Sequence, residues 1–217
     1  SVSDTTFLTF PPQGLTLHWY ENIFEVSAFK RTMVTSFILA VTGTSLSLIV
    51  GIPAAYALNR YRVQLPSFLS TVFVLPILVP EIVLGFSLMK TVTTAMGFPI
   101  FVSLVIGHAL LVLPYCVRVV SAALASFDFS IEEAAVSLGC PRWKAFFIIV
   151  LPNVRAGVIA AFILALITSI NDVSISLFLT GPGISTLPIQ LLAHMEQFFD
   201  PTIASVSVLL MLVTVGV

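Results

Sequence analysis

Charge is the scarcest thing in this sequence. Its 217 residues hold nine lysines and arginines and ten aspartates and glutamates, 9% of the chain, where soluble domains carry roughly 25%. The formal net charge of −1 offers nothing to hold a nucleic acid. Cysteine is nearly absent as well: Cys116 and Cys140 have no metal-ligand spacing, and Cys116 reads as a small core residue. None of the three lysines, Lys30, Lys90 and Lys144, follows a glycine, so the chain has no phosphate-binding loop of its own. It also lacks HExxH and GxSxG, and His108 is the one histidine in the middle of an apolar run. These gaps argue against a soluble domain, a nucleotide hydrolase and an intramembrane protease or esterase.

What is present is hydrocarbon. Hydrophobic residues make up 58% of the chain, and the mean hydropathy is +1.11. Apolar runs of about 20 residues are what a hydrocarbon core roughly 30 Å thick requires. Five are found: Met33–Leu58, Phe68–Val92 (interrupted by Pro76 and Pro80), Ile100–Leu124 (interrupted by Pro114), Val154–Leu179, and one from Ile203 to the last residue. The expected fold is therefore all-α, a polytopic transmembrane helical bundle. Residues 1–31 are expected to form an external or interfacial segment, with Trp19 and Tyr20 suited to a membrane interface, and residues 32–217 a transmembrane domain. Ser1–Lys30 lacks the basic-then-apolar pattern of a signal peptide. An external loop is expected at 181–201, with an amphipathic helix from Leu187 to Phe199 placing His194 and Glu196 on its wet side.

The stretch from residue 129 to 152 breaks the apolar pattern. Ser130 and Glu133 have the spacing of a capping box, which predicts a helix start. Gly139 stands where a helix stops with positive φ, and Pro141 suits the first turn of a second helix. Helix, glycine hinge and helix, carrying Arg142, Trp143 and Lys144, make a polar elbow between two spans. Arg60, Arg62, Arg118, Arg142, Lys144 and Arg155 fall on the elbow side, and Lys30, Arg31 and Lys90 on the other. That bias places the elbow in the cytoplasm and Ser1 outside.

Here the sequence resembles a family. Glu133-Ala134-Ala135 (preceded by Glu132, which joins them as a coupling residue), Gly139 four residues on, then Ile149-x-Leu151-Pro152, are similar to the EAA loop of ABC importer permeases. The resemblance implies the type I permease fold and a coupling loop at 129–152 that seats in a separate ATPase subunit. Arg142, Trp143 and Lys144 would belong to the docking face. The implied partners are an ATP-binding subunit dimer, a second and related permease chain, an extracytoplasmic substrate-binding protein and the lipid bilayer of the bacterial inner membrane. ATP and magnesium would sit on the ATPase subunits, with no cofactor and no nucleic acid bound by this chain. Members of the family begin with one more span, so six spans are expected in the full protein, with the sequence trimmed at both ends.

Two acids lie inside spans, where ionisable groups are functional candidates. Glu81 directly follows Pro80, and a proline-broken helix frees backbone carbonyls that only protein or a water-filled cavity can satisfy. Asp172 follows a stripe of small residues, Gly157, Ala161, Ala165 and Ser169, spread over about 120° of a helix at 100° per residue. A substrate path through Glu81, Asp172, Asn171 and His108 is one reading. The other is structural: a packing stripe with Asp172 held by a neighbouring Asn or Ser, Glu81 held by Asn171 or His108, and His108 a satisfied hydrogen-bond partner. The chain also resembles the spermidine/putrescine branch of the family in Pro80-Glu81, in Asn171-Asp172 (where that branch has two aspartates), in Leu17-His-Trp19-Tyr20 and in Thr186-Leu-Pro188. A polyamine or related amino compound, such as an aminophosphonate, is the substrate class this implies. A stand-alone ion-coupled transporter or channel would suit the isolated acids but leaves the elbow without a purpose.

Overall fold

The computed structural model describes residues 14, 16–25, 27–61, 68–197 and 202–216. Arg62 and Phe199 lie outside them. The described residues are helical almost throughout, with no strand among them and one isolated backbone pairing, Gly181 with Ile184. In order the helices are α1 (His18–Glu25), α2 (Ser27–Arg60), α3 (Phe68–Leu78), α4 (Glu81–Leu88), α5 (Ile100–Ala125), α6 (Ser130–Ser137), α7 (Arg142–Ala145), α8 (Leu151–Asn153), α9 (Arg155–Ile170), α10 (Ser174–Leu179), α11 (Leu187–Gln197) and α12 (Thr202–Gly216). Two π-helical stretches, Met89–Ala95 and Phe146–Val150, join α4 to its loop and α7 to α8.

Among the described residues, two helices are long and apolar enough to span a membrane alone, Ala28–Arg60 and Ile100–Ala125. A third candidate is the pair Arg142–Asn153 and Arg155–Ile170, bent by 73° at its break. The expected second span is broken, with α3 ending at Leu78 and α4 beginning at Glu81. Pro80 starts the new helix by accepting Leu84 N at 3.0 Å, while Pro76 is accommodated inside α3. The expected continuous fourth span, Val154–Leu179, is corrected: α9 stops at Ile170 and α10 starts afresh at Ser174. The cause is Asp172, whose carboxylate takes up the backbone donors of the next turn.

The chain falls into two compact units. One comprises Ala40–Leu84 and Val105–Ser169. Its interior is built where small residues let helices approach. Gly51 of α2 leaves room for Cys116, which is buried as expected. Gly43 faces the backbone of His108 and Ala109. Along α9, Ala161, Ala165 and Ser169 are buried, so the small-residue stripe faces protein. Gly157, on the same stripe, lies against Ala123 of α5.

The other unit comprises Ser1–Leu39, Gly85–Leu104 and Ile170–Val217. Phe29, Leu187 and Val206 form its core, with Tyr20, Met33, Leu191, Leu209 and Leu210 packed against it. The start of α11 is tied to α2 by Leu187 N donating to Ser36 Oγ at 2.7 Å. Gly85 of α4 abuts Ile175, and the Phe86 and Phe178 rings meet edge-on at 5.9 Å. His194 departs from its expected wet position: it is half-buried against Phe29, ring centroids 5.1 Å apart, while Glu196 is exposed. A cavity of about 480 Å³ is lined by Arg31, Thr32, Thr35, Ser185 and Gln190, and Arg31 donates to the Gly183 carbonyl.

Candidate functional site

The elbow forms where the sequence places it, but its first helix starts for another reason. Ser130 is already inside α6, and the residue at the N-cap position, Phe129, makes no side-chain capping hydrogen bond. The donor at the helix start is instead taken by Asp128, which accepts Ser130 N at 3.0 Å. That hydrogen bond holds the exposed Asp128 carboxyl below its ordinary range. Because the folded value is depressed, this turn contributes at neutral pH and is lost as acidification reaches the folded value. The expected capping box is absent because Glu133, its other half, is drawn to Arg60.

Gly139 sits at φ +94°, in the region that favours glycine. Cys140 N and Gly139 N bond back to Ala135 and Val136, closing α6. Gly139→Ala should lower stability by about 1–2 kcal/mol, the usual strain of a Cβ at positive φ, since the site is otherwise open around that position. Thermal unfolding of the purified protein in detergent measures it. Pro141 sits one residue earlier than expected: it caps α7 from outside with extended backbone, and its carbonyl accepts Lys144 N and Ala145 N.

The elbow is bolted to the last two turns of α2. Arg60 reaches Glu132 (Nε to Oε2, 3.2 Å) and Glu133 (Nη2 to Oε1, 2.8 Å) with one guanidinium. Glu132 is buried, and its second oxygen accepts the hydroxyl of Tyr56. Above Arg60 lie the rings of Phe129, at 5.5 Å, and Tyr61, at 5.9 Å. The second arm is held too, since Arg142 donates to the Tyr61 hydroxyl at 3.3 Å and Tyr56 meets Phe146 edge-on at 4.9 Å. A guanidinium forked between two carboxylates is a geometry that lysine cannot reproduce.

With one face clamped, the other is left bare. Leu138 is 90% exposed and Trp143 69%, with Ile131, Pro141, Arg142 and Lys144 also exposed. Large apolar side chains presented on a rigid turn mark a contact surface. Of the elbow residues read from sequence, Glu133 and Ala134 are exposed, Ala135 and Leu151 half-buried, Gly139 and Pro152 exposed, and Glu132 buried. Tyr56, Arg60, Tyr61, Phe129 and Phe146 were missed as site residues. Arg60 was read from sequence only as an orientation marker, and no local signal links it to carboxylates 72 and 73 positions away.

The intramembrane candidates each have their own local surroundings. Glu81 is exposed in the first turn of α4, where the helix dipole favours its negative charge. Asp172 is buried and caps α10: Oδ1 accepts Ile175 N at 3.3 Å, and Oδ2 accepts Ser176 N at 2.9 Å and Ser176 Oγ at 3.0 Å. Replacing it with Ala should cost about 0.5–2 kcal/mol, the range for losing a helix cap. The same thermal measurement, set beside Asp172→Asn, reads it. His108 is buried with Nδ1 2.8 Å from Ser169 Oγ, joining α5 to α9. Asn171 is exposed.

An all-α chain with a braced polar elbow between apolar helices is a polytopic membrane protein by its architecture. Residues 43–217 match the family of binding-protein-dependent transport system inner membrane components, and the chain belongs to that family. It is similar to the putrescine transport system permease protein PotI of Escherichia coli K12, 28% identical over 205 residues that cover 91% of this chain and 73% of that protein. The spermidine/putrescine transport system permease protein PotC of the same strain is 28% identical over 203 residues, covering 93% and 76%. A probable ABC transporter permease protein, y4oR of Sinorhizobium fredii, is 25% identical over 194 residues, covering 88% and 70%.

Proposed function

We propose that this chain is the membrane-spanning subunit of an ATP-driven importer, and that residues 129–152 are the cytoplasmic coupling loop driven by a separate ATPase pair. The observation that carries this reading is the exposed Leu138 and Trp143 on an elbow whose opposite face is clamped to α2. A surface that must transmit force needs both a partner to push it and a rigid attachment behind it. ATP and magnesium belong to that partner pair. A second, related permease chain completes the path, and an external binding protein delivers the solute.

Small amines, the polyamines first, are the substrate class we assign. The names of the similar permeases and the Pro80-Glu81 break support it. Glu81 is the carboxylate we give to the amine, because Asp172 has its oxygens committed to α10. Asp172, Asn171 and His108 then fix the helix break and the span packing around the path. With the Asp172 oxygens committed, fewer carboxylates face the amine among the described residues, so an amine of low charge such as putrescine should be preferred to a longer polycation.

The test is ATP hydrolysis by the assembled transporter in nanodiscs, with a binding protein loaded with putrescine. The native complex should be stimulated, and Leu138→Asp should lose that stimulation by roughly tenfold, within the usual span of coupling between sites. Stimulation that survives Leu138→Asp would remove the elbow from the mechanism. Stimulation by other amines but not putrescine would move the substrate assignment while leaving the importer in place.

A further inference from the structure

Transmission from an elbow needs a path into the membrane, and covalent continuity provides only two: back through residues 126–129 into α5, and forward through α8 into α9. We propose a third, a latch made by Arg60, Tyr56 and Glu132, that makes the elbow and α2 move as one body. This inference rests on the coupling role assigned above and adds the element that carries the motion.

Three observations point to it. The contact joins positions far apart in sequence, Arg60 to Glu132 and Glu133 and Tyr56 to Glu132. Glu132 is buried although it lies on an eight-residue helix whose neighbours Ile131 and Glu133 are exposed, so that one acid is turned inward onto the latch. Both arms of the elbow are tied to the same end of α2, the second through Arg142 to Tyr61 and Phe146 to Tyr56. A single tie would let the elbow pivot about it. Two ties on either side of Gly139 remove that freedom.

The remaining surface around the latch is polar. A cavity of about 260 Å³ beside it is lined by Arg60, Glu132, Glu133, Val136, Ser137 and Arg142. Arg60, Tyr56 and Glu132 are positioning residues in this scheme, acting through the elbow and touching no substrate.

The test measures the distance between spin labels on cysteines replacing Ile131 in α6 and Ile49 in α2, both exposed, with Cys140 replaced by Ser. It uses the assembled transporter, nucleotide-free and then trapped with ATP and vanadate. With the latch intact, the distribution should be narrow and the same in both states. In Arg60→Gln/Glu132→Gln, which leaves no orphan buried charge, it should broaden and shift between states by more than the roughly 1–2 Å over which packed helices slide. Tyr56→Phe should broaden it less, and Arg60→Lys should fall between native and the double variant.

A native distance that changes between the two states would overturn the latch, and so would a double variant that behaves as native. Failure of the coupling role itself reads differently: Leu138→Asp would then co-purify with the ATPase pair as well as the native chain does.

Discussion

Arg60→Ala should be the most damaging single substitution in the elbow, lowering stability by about 3–5 kcal/mol, the cost of leaving a buried charge without its partner. Glu132 is buried and has one other polar contact, the Tyr56 hydroxyl, which softens the loss but cannot neutralise a carboxylate. Glu133 is 61% exposed in its side chain and would simply turn to water, so its bond to Arg60 contributes about 0–1 kcal/mol. The decisive partner is therefore Glu132, although its ion pair is the longer of the two. A double-mutant set on the purified complex in detergent checks this by thermal unfolding. Arg60→Ala should be strongly destabilised, Glu133→Gln nearly native, and Arg60→Gln/Glu132→Gln close to native in stability. Equal losses for the two glutamate partners would contradict the assignment.

Gly157→Ala should also destabilise, although helix propensity alone says the opposite. In a helix interior alanine is favoured over glycine by roughly 1 kcal/mol. Here the added Cβ would lie 2.3 Å from the Cβ of Ala123, an atom fixed to its own backbone. Relief requires α5 and α9 to separate, and overpacking of that kind costs about 1–3 kcal/mol. The clash should offset the propensity gain and leave a net loss of about 0–2 kcal/mol, the difference of those two figures. Gly181 makes the contrast: its added Cβ would meet Ile100 Cδ1 at 2.4 Å, the end of a side chain that can rotate away. The swap Gly157→Ala with Ala123→Gly should recover most of the loss in thermal unfolding. No recovery would mean that the glycine is needed for something other than close approach.

The elbow was legible because it is polar where its surroundings are not, and because Gly139 has a conformation few residues adopt. The break before Glu81 was legible in Pro80, although proline is a weak guide here: Pro76 stands inside α3, and Pro114 stands inside α5 without the interruption expected of it. The break after Ile170 was not: Asn171-Asp172 contains neither proline nor glycine, and hydropathy runs straight through it. Its signal is the short side chains of Asn and Asp, which compete with the helix for backbone donors, but an acid inside an apolar run reads first as a path residue or as an acid held by a neighbour. The latch was invisible for a different reason. Arg60 and Glu132 meet only through tertiary packing, and Arg60 at the end of an apolar helix has a sufficient explanation in membrane orientation alone. The same contact undid the capping box, since Glu133 cannot both reach back to its own helix start and pair with α2.

One feature of the elbow's exit sets its phase. Between α7 and α8 the backbone winds as a π-helix over Phe146–Val150, with Leu151 N bonded to the Phe146 carbonyl five residues back. Such a turn holds one residue more than an α-helical turn would, and one residue is worth about 100° of rotation around the axis. The π turn thus rotates Trp143 relative to α8 by about one residue's worth of angle, beyond what an α-helical turn would give. Aligning the chain with a permease that lacks this extra residue, without allowing for it, would misplace Trp143 around the helix axis by that angle.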